Sequence, residues 1–454
     1  MIGAIDLNRP ACSGEPLYRF IKERLIEPLR PELAQTSGAV SRLLSEIADL
    51  ELAGFFDEND LQIEVRIKIL VLLQLETPPL PFNLLRMTPI WELANPQLRD
   101  IAVYEPGKPI EETARELGID SDGIIKLASN ENPLGPSPNA VQAMRAALDN
   151  SHLYPDGSGF CLCKAIAIKL GLAPENIILG NGSNEVIEFL GHAFLDAERQ
   201  DEVVASEYAF AVYKLITTSF GAHLIEVPSP AYQQDLEAML EAITRKTRLI
   251  FIPNPNNPTG TLISRRAIDS FISRVPERVI VVFDEAYFEF LTDPPDTLRF
   301  VREGRNIIVL RTFSKIHGLA GLRIGYAIAR PDVIEVLHRT RQPFNVNSIA
   351  QAGALAALED DAHLQQTKRV VDEGRAYLQE QFAEMQIPFV PAVANFLMVN
   401  VGDGCGVFGK LLRRKIIVRP LKGYGLPEWV RISIGTMEQN KRCVAALREV
   451  IHAQ

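Results

Sequence analysis

At 454 residues the chain is too long for a single hydrophobic core and holds enough apolar side chains for two or three domains. Hydrophobic residues make up 47% of it and charged residues 23%, proportions that set aside disordered, fibrous and membrane-embedded chains. A net charge of −10 without any Lys/Arg-rich run repels phosphate polymers and anionic lipid surfaces, so neither nucleic acid nor a membrane is expected as a partner.

The N-terminal "MIGAIDLNRPACSGEPLYRF" has no basic start followed by an apolar stretch, and no later segment approaches the roughly 20 apolar residues that span a bilayer, so a cytoplasmic protein is expected. Five scattered cysteines (Cys12, Cys161, Cys163, Cys405, Cys443) argue against a disulfide framework; "CLC" is too tight for a zinc knuckle and lacks a nearby His, so no metal is expected. Residues 1–86 show helical periodicity in "LYRFIKERLIEPLRPEL", "AVSRLLSEIADLELAGFF" and "LQIEVRIKILVLLQL" and close on the Pro-rich "ETPPLPFNLL". They read as a helical extension without a chemical motif, with a boundary at Met87. Residues 87–148 read as an N-terminal arm with part of a smaller domain.

From about residue 149 to 340, apolar strands alternate with amphipathic helices. Strands are predicted at 176–180, 248–253, 279–287, 306–312 and 321–329. Between them lie helices such as "NEVIEFLGHAFL", where Val186, Ile187, Leu190 and Phe194 share a face. Strands so rich in Val and Ile, separated by helices, imply an α/β core: a mostly parallel sheet covered on both faces. After about 341 a long helical stretch gives way to "NFLMVNV", "IIVRP" and "WVRISIG" and a closing helix, which reads as a smaller α+β domain.

Four stretches carry chemistry. In "ILGNGSNEVIEFL" a strand runs through Gly-Asn-Gly into Ser183, Asn184 and a helix, where backbone N–H groups can surround a phosphate; an ordinary turn capped by Ser183 would look the same. In "FIPNPNNPTG" prolines hold Asn257 at a strand's C-terminal end, the edge where open α/β sheets bind ligands. "VVFDEAYFEF" brings Asp284 out of an apolar strand. That carboxylate needs a cation or a capping role, and a protonated pyridine nitrogen would suit it, with Tyr287 donating to the same ring's oxygen. "VLRTFSKIHGLAGLRIGYA" delivers Thr312, Ser314, Lys315 and then Arg323. The lysine is a phosphate counter-ion or a Schiff-base nucleophile; since two hydroxyls and an arginine already suffice for a phosphate, it is free to be the covalent group.

The order of these signals resembles the fold-type I pyridoxal-phosphate aminotransferases. With "LASNENPLGPSP", "YPDG", "NPNNPTG", "DEAYFEF", "RTFSKIHGLAGLRIGY" and "VRISIGT", residues 87–454 resemble the histidinol-phosphate aminotransferase family. The resemblance implies that Lys315 holds pyridoxal 5′-phosphate covalently and moves the substrate's Cα proton. It implies that Asp284 keeps the ring nitrogen protonated, that Asn257 and Tyr287 bind the ring oxygen, and that Phe210 stacks on the ring. Ser183, Asn184, Thr312, Ser314 and Arg323 would hold the phosphate, with Tyr154 reaching it from the partner subunit of a homodimer. Tyr104 and Asn132 would complete the substrate pocket. Arg419 and Arg431, at the ends of two short apolar strands, suit a substrate carboxylate or phosphate, although surface ion pairing is the commoner fate of an arginine. The family often has Thr-Leu-Ser-Lys where this chain has Thr-Phe-Ser-Lys, which leaves the polar contacts intact.

The implied reaction moves an amino group between L-glutamate/2-oxoglutarate and histidinol phosphate. The alternatives within the same chemistry are an aromatic amino-acid aminotransferase and a related threonine-phosphate decarboxylase, which differ in what Arg419 and Arg431 bind and in whether the Cα–H or the Cα–carboxylate bond is cleaved. A transcriptional regulator with an aminotransferase-like domain would need a basic N-terminal module, whereas 1–86 is mildly acidic.

Overall fold

The computed structural model describes residues 90–101, 109–118 and 120–452. The chain divides into two units, Met1–Ala94 and Asn95–Gln454. The extension read over 1–86 lies outside the described residues, as does Tyr104. The architecture below is that of the second unit.

Its largest sheet has seven strands: β2 (Ile177–Gly180), β3 (Glu202–Ser206), β4 (His223–Val227), β5 (Thr247–Pro253), β6 (Ile280–Asp284), β7 (Ile307–Thr312) and β8 (Gly325–Ile328), in the order β2-β8-β7-β6-β5-β3-β4. β5, β6 and β7 are almost continuously apolar because helices cover both faces of the sheet. One face packs against helices Pro138–Leu148, Phe160–Leu170, Arg265–Arg274 and Ser348–Glu359, the other against Gly182–Phe194, Val212–Ser219 and Pro331–His338. β5, β6 and β7 run parallel, so their C-terminal ends share one edge, with Pro253 beside Asp284 and Asp284 beside Leu310. β8 is antiparallel to both β2 and β7, which brings its first residue, Gly325, beside Gly180 and Thr312. Arg323 thereby arrives at the same edge.

The smaller part has a four-stranded antiparallel sheet, β12-β13-β10-β9, made of β9 (Phe389–Val390), β10 (Phe396–Asn400), β12 (Arg419–Pro420) and β13 (Trp429–Ser433). Helices Asp361–Glu384, Gly404–Leu412 and Met437–His452 bury its apolar residues. β1 (Ile125–Lys126) pairs in parallel with β11 (Ile416–Ile417), tying the segment before "SNEN" to the C-terminal region. The core of this part also contains Tyr287, Phe290 and Ile316, so it closes directly over the ends of β6 and β7.

Several elements differ from the sequence reading. The strand expected over 279–287 stops at Asp284, and the one expected over 321–329 starts at Gly325, because a 3₁₀ turn at Ala320–Leu322 and a left-handed Arg323 (φ 54°) precede it. β3 and β4 went unread; both are five residues long, and β4 is a half-exposed edge strand with a polar start. Helix Ser348–Glu359 packs with Pro138–Leu148 into the core of the large sheet through Ala350, Ala354 and Leu358. By its packing this helix belongs to the core of the large sheet, while the helix from Asp361 onward packs on the small one. Among the described residues no helix is long and apolar enough to cross a membrane.

Candidate active site

β6 delivers Asp284 to the sheet edge as a buried carboxylate. Its Oδ2 accepts a hydrogen bond from the Tyr213 hydroxyl at 2.7 Å, and its Oδ1 accepts one from the Ala286 backbone N–H at 3.2 Å. Burial pushes the carboxyl above the usual carboxylate range, against the pull of Tyr213, the Ala286 N–H and Lys315. Two residues on, the Tyr287 phenol is pushed up to about 12 by burial and remains a donor. Its hydroxyl accepts from Asn130 Nδ2 at 2.9 Å, and Asn130 in turn exchanges hydrogen bonds with Ser433 on β13 at 2.8 and 3.0 Å.

β7 continues beyond Thr312 into Ser314 and Lys315. The Lys315 Nζ donates to the Ser129 carbonyl at 3.2 Å and lies 5.7 Å from the centre of the Tyr287 ring. Burial first, and then the positive charge of Arg431, bring its amine down to about 8. A lysine so placed carries a neutral, nucleophilic fraction near neutral pH, which an exposed lysine lacks.

Opposite this pair, Asn181 follows the end of β2 and stands at the N-cap position of helix Gly182–Phe194. The approach of β8 is close. A Cβ on Gly182 would lie 2.7 Å from an Arg323 guanidinium nitrogen, and one on Gly325 would lie 2.5 Å from the Ser183 backbone nitrogen. The two glycines therefore let the helix N-terminus, Arg323 and β7 converge. Arg323 Nη1 reaches Ser314 Oγ at 3.4 Å, and Thr312 Oγ1 accepts from the Ser314 N–H at 3.1 Å. Backbone N–H groups, two hydroxyls and a guanidinium around one spot suit a phosphate.

Behind the edge, Arg311 and Glu285 form a buried pair at 2.8 Å; the guanidinium lies 3.6 Å from the Phe288 ring centre, and Thr297 donates to the other Glu285 oxygen. This pair bridges the neighbours of Asp284 and Thr312 and so ties β6 to β7.

Ser183, Asn184, Phe210, Asn257, Asp284, Tyr287, Thr312, Ser314, Lys315 and Arg323 all line one cavity of about 260 Å³. Of the remaining sequence candidates, Arg431 borders this set from β13: it donates to Asn257 Oδ1 and, at 2.6 Å, to the Ala128 carbonyl. The Asn257 amide nitrogen is then the end that can donate into the cavity. Arg419 on β12 is directly opposite Arg431, which puts the two side chains on one face of the small sheet. Asn132 bonds to the Ile316 carbonyl at 2.6 Å and to Thr367 at 3.2 Å, bracing the loop after Lys315 without lining the cavity. Tyr154 is 82% exposed and stacks on Phe344 at 4.9 Å, outside the cavity.

Sequence reasoning passed over Tyr213, Ser129, Asn130 and Glu131, which line or brace the cavity. Tyr213 stands three positions after Phe210, where a helix begins, a spacing that signals a shared face. The other three lie within the quoted "LASNENPLGPSP" and needed only their individual roles.

With sheet, phosphate cradle, carboxylate and buried lysine in place, the class follows: residues 122–447 match the model of the aminotransferase class I and II family, and the chain belongs to it. Within that family it falls among the histidinol-phosphate aminotransferases. It is 51% identical to the histidinol-phosphate aminotransferase of Akkermansia muciniphila, over 80% of this chain and 99% of that one. It is 47% identical to that of Moorella thermoacetica, over 77% and 91%. Among solved structures it resembles the histidinol-phosphate aminotransferase of Sinorhizobium meliloti in complex with pyridoxal-5′-phosphate, with a TM-score of 0.72 and 28% identity over 79% of this chain and 98% of that one.

Proposed function

We propose that this chain transfers an amino group from histidinol phosphate to 2-oxoglutarate, with pyridoxal 5′-phosphate as cofactor. The observation that carries the reading is the convergence of Lys315, Asp284 and the phosphate cradle on one cavity in a chain 51% identical to a histidinol-phosphate aminotransferase. The donor set fits the cofactor: an anion cradle at Gly182–Asn184 with Thr312, Ser314 and Arg323, a buried carboxylate for a ring cation, and a lysine brought down to about 8. The Gly182 and Gly325 positions, where a Cβ would intrude, support a cradle kept open for a bound group.

When bound, pyridoxal phosphate supplies an electron-withdrawing ring that stabilises negative charge at the substrate's Cα. Asp284 would hold the ring nitrogen, Tyr287 and Asn257 would donate to the ring oxygen, and Phe210 would cover one ring face. Lys315 would provide the covalent anchor and would then take the proton from the amino donor's Cα and deliver it to the carbon that was the cofactor's aldehyde. Arg431 and Arg419 offer guanidinium charge to the carboxylate of glutamate and the phosphate of histidinol phosphate in turn.

A homodimer belongs to the same proposal. Tyr154, Leu153 and Phe160 form part of an exposed apolar surface that a second copy would cover, with Tyr154 then reaching the neighbouring phosphate cradle. The free thiols of Cys161, Cys163, Cys405 and Cys443 support a reducing, cytoplasmic setting.

The test is a donor comparison on the purified full chain with 2-oxoglutarate as acceptor and glutamate formation as readout. Histidinol phosphate should exceed phenylalanine and tyrosine in kcat/KM by more than about 100-fold, the scale of two charge-assisted hydrogen bonds. Preference for phenylalanine or tyrosine would make it an aromatic aminotransferase, and CO2 release from threonine phosphate a decarboxylase.

A further inference from the structure

We infer that Tyr213 is a positioning residue that holds Asp284 as a carboxylate facing the cofactor's ring nitrogen. The inference rests on the role of Asp284 proposed above and names the group that sets its charge. The Tyr213 side chain is 1% exposed and lies flat on Phe251, with ring centres 4.4 Å apart and planes 6° from parallel. Phe210 meets it edge-on from the cavity side at 5.9 Å. A ring clamped in this way cannot swing its hydroxyl elsewhere, and that hydroxyl donates to Asp284 Oδ2 at 2.7 Å.

Among the described residues, Tyr213 is the only side chain that donates to Asp284; the other donor is the Ala286 backbone. The charged and titratable groups around Asp284 leave this role to Tyr213. Glu285 is committed to Arg311 and Thr297, Tyr287 already receives the Asn130 amide, and Lys315 acts on Asp284 through its charge. Burial and the adjacent carboxylate hold the phenol well above the ordinary tyrosine range, so it stays a donor at every pH the enzyme meets. Burial drives Asp284 toward its neutral form, and the Tyr213 hydrogen bond is the largest influence opposing that drift. Without it, Asp284 takes up a proton at a higher pH and loses its attraction for a ring cation.

The experiment measures binding of pyridoxal 5′-phosphate and of its 1-deaza analogue, in which carbon replaces the ring nitrogen, to the full chain between pH 5 and 9. For Tyr213→Phe, which keeps the ring stacking, affinity for pyridoxal 5′-phosphate in the acid range should fall roughly tenfold or more. The pH midpoint of acid release should rise by about one unit. Affinity for the deaza analogue should change by less than about threefold, since only the ring nitrogen senses Asp284. As a second probe that leaves the fold intact, 3-fluorotyrosine at position 213, a stronger donor, should move the midpoint down. Equal loss for both ligands, or no midpoint shift with either replacement, overturns the inference. Asp284→Asn separates the two levels. If it does not discriminate between the ligands, the reading of Asp284 itself fails; if it discriminates while Tyr213→Phe does not, only the role of Tyr213 falls.

Discussion

Asp284 and Lys315 reach the cavity from the ends of neighbouring parallel strands, β6 and β7, and Asp284 is held there by Tyr213 and the Ala286 backbone of the same large-sheet unit. Arg431 reaches it from the small antiparallel sheet and bonds to Asn257, 174 positions earlier, and to the Ala128 carbonyl, 303 positions earlier. The first region is made of contiguous motifs on a rigid, doubly covered sheet, and its charges are matched locally, as in the buried Glu285–Arg311 pair. The second is assembled from distant segments whose only common property is that they meet. On the proposed function, cofactor chemistry should depend on single residues with large effects, and substrate selection on a network with smaller, coupled ones.

The sharpest way to break the comparison is Lys315→Ala. Turnover should fall by about 10⁴-fold, the upper end of what a positioned proton-transfer group contributes, while the cradle still binds cofactor. Borohydride treatment of the unmodified protein should fix the cofactor on the peptide that contains Lys315, and fixation on another lysine would refute the assignment. The pH dependence has a definite sign. With the amine at about 8 its neutral fraction shrinks tenfold per pH unit below that value, so the rate at which cofactor-free protein captures pyridoxal phosphate should climb with pH and level off above about 8.

Next comes Asp284→Asn, for which kcat should fall roughly 10²–10³-fold with the fold intact by circular dichroism, as expected when a preorganised charge is removed from the reacting centre. Near-normal turnover would shift the ring-nitrogen role away from Asp284.

On the substrate side, Arg431→Gln should lower kcat/KM for both substrates by roughly 10- to 150-fold, the value of one set of charge-assisted hydrogen bonds. Arg419→Ala should weaken histidinol phosphate more than glutamate. Equal losses for the two substrates would show that Arg419 does not discriminate between them.

The smallest effect should come from the Tyr287–Asn130–Ser433 chain, which joins the two regions. Asn130→Ala and Ser433→Ala should each cost about 1–3 kcal/mol of stability by chemical denaturation. In a double-mutant cycle they should couple by about 0.5–3 kcal/mol, because the two side chains share one network. Strict additivity would mean that the regions are energetically independent.

Much of the sheet-edge region was legible before folding. "IVVFD", "IIVLRT" and "NPNNPTG" announce buried strands and a rigid loop, and parallel neighbours in a covered sheet must end at one edge, so Asp284, Lys315 and Asn257 could be placed together from pattern alone. Tyr213 was legible only in part: its spacing from Phe210 points to a shared face, but a tyrosine at the start of a helix reads as core until its hydroxyl is seen on Asp284. Which core the helix Ser348–Glu359 joins was not legible for a similar reason: its alanine-rich face has no polarity to show it.

The sequence by itself determined the strongly apolar strands β2, β5, β6 and β7, the chemistry-bearing residue types and their order along the chain, since hydrophobic periodicity and turn residues act over short separations. Only the tertiary structure decided that β8 runs antiparallel and carries Arg323 back to the helix at Gly182, that Arg431 meets Asn257, and that Asn130 joins Tyr287 to Ser433. Those contacts span from 141 to 303 positions or depend on a strand's direction, and local propensity carries no information about either. They are settled when two cores bury their apolar faces together and the polar groups trapped at the seam must find one another.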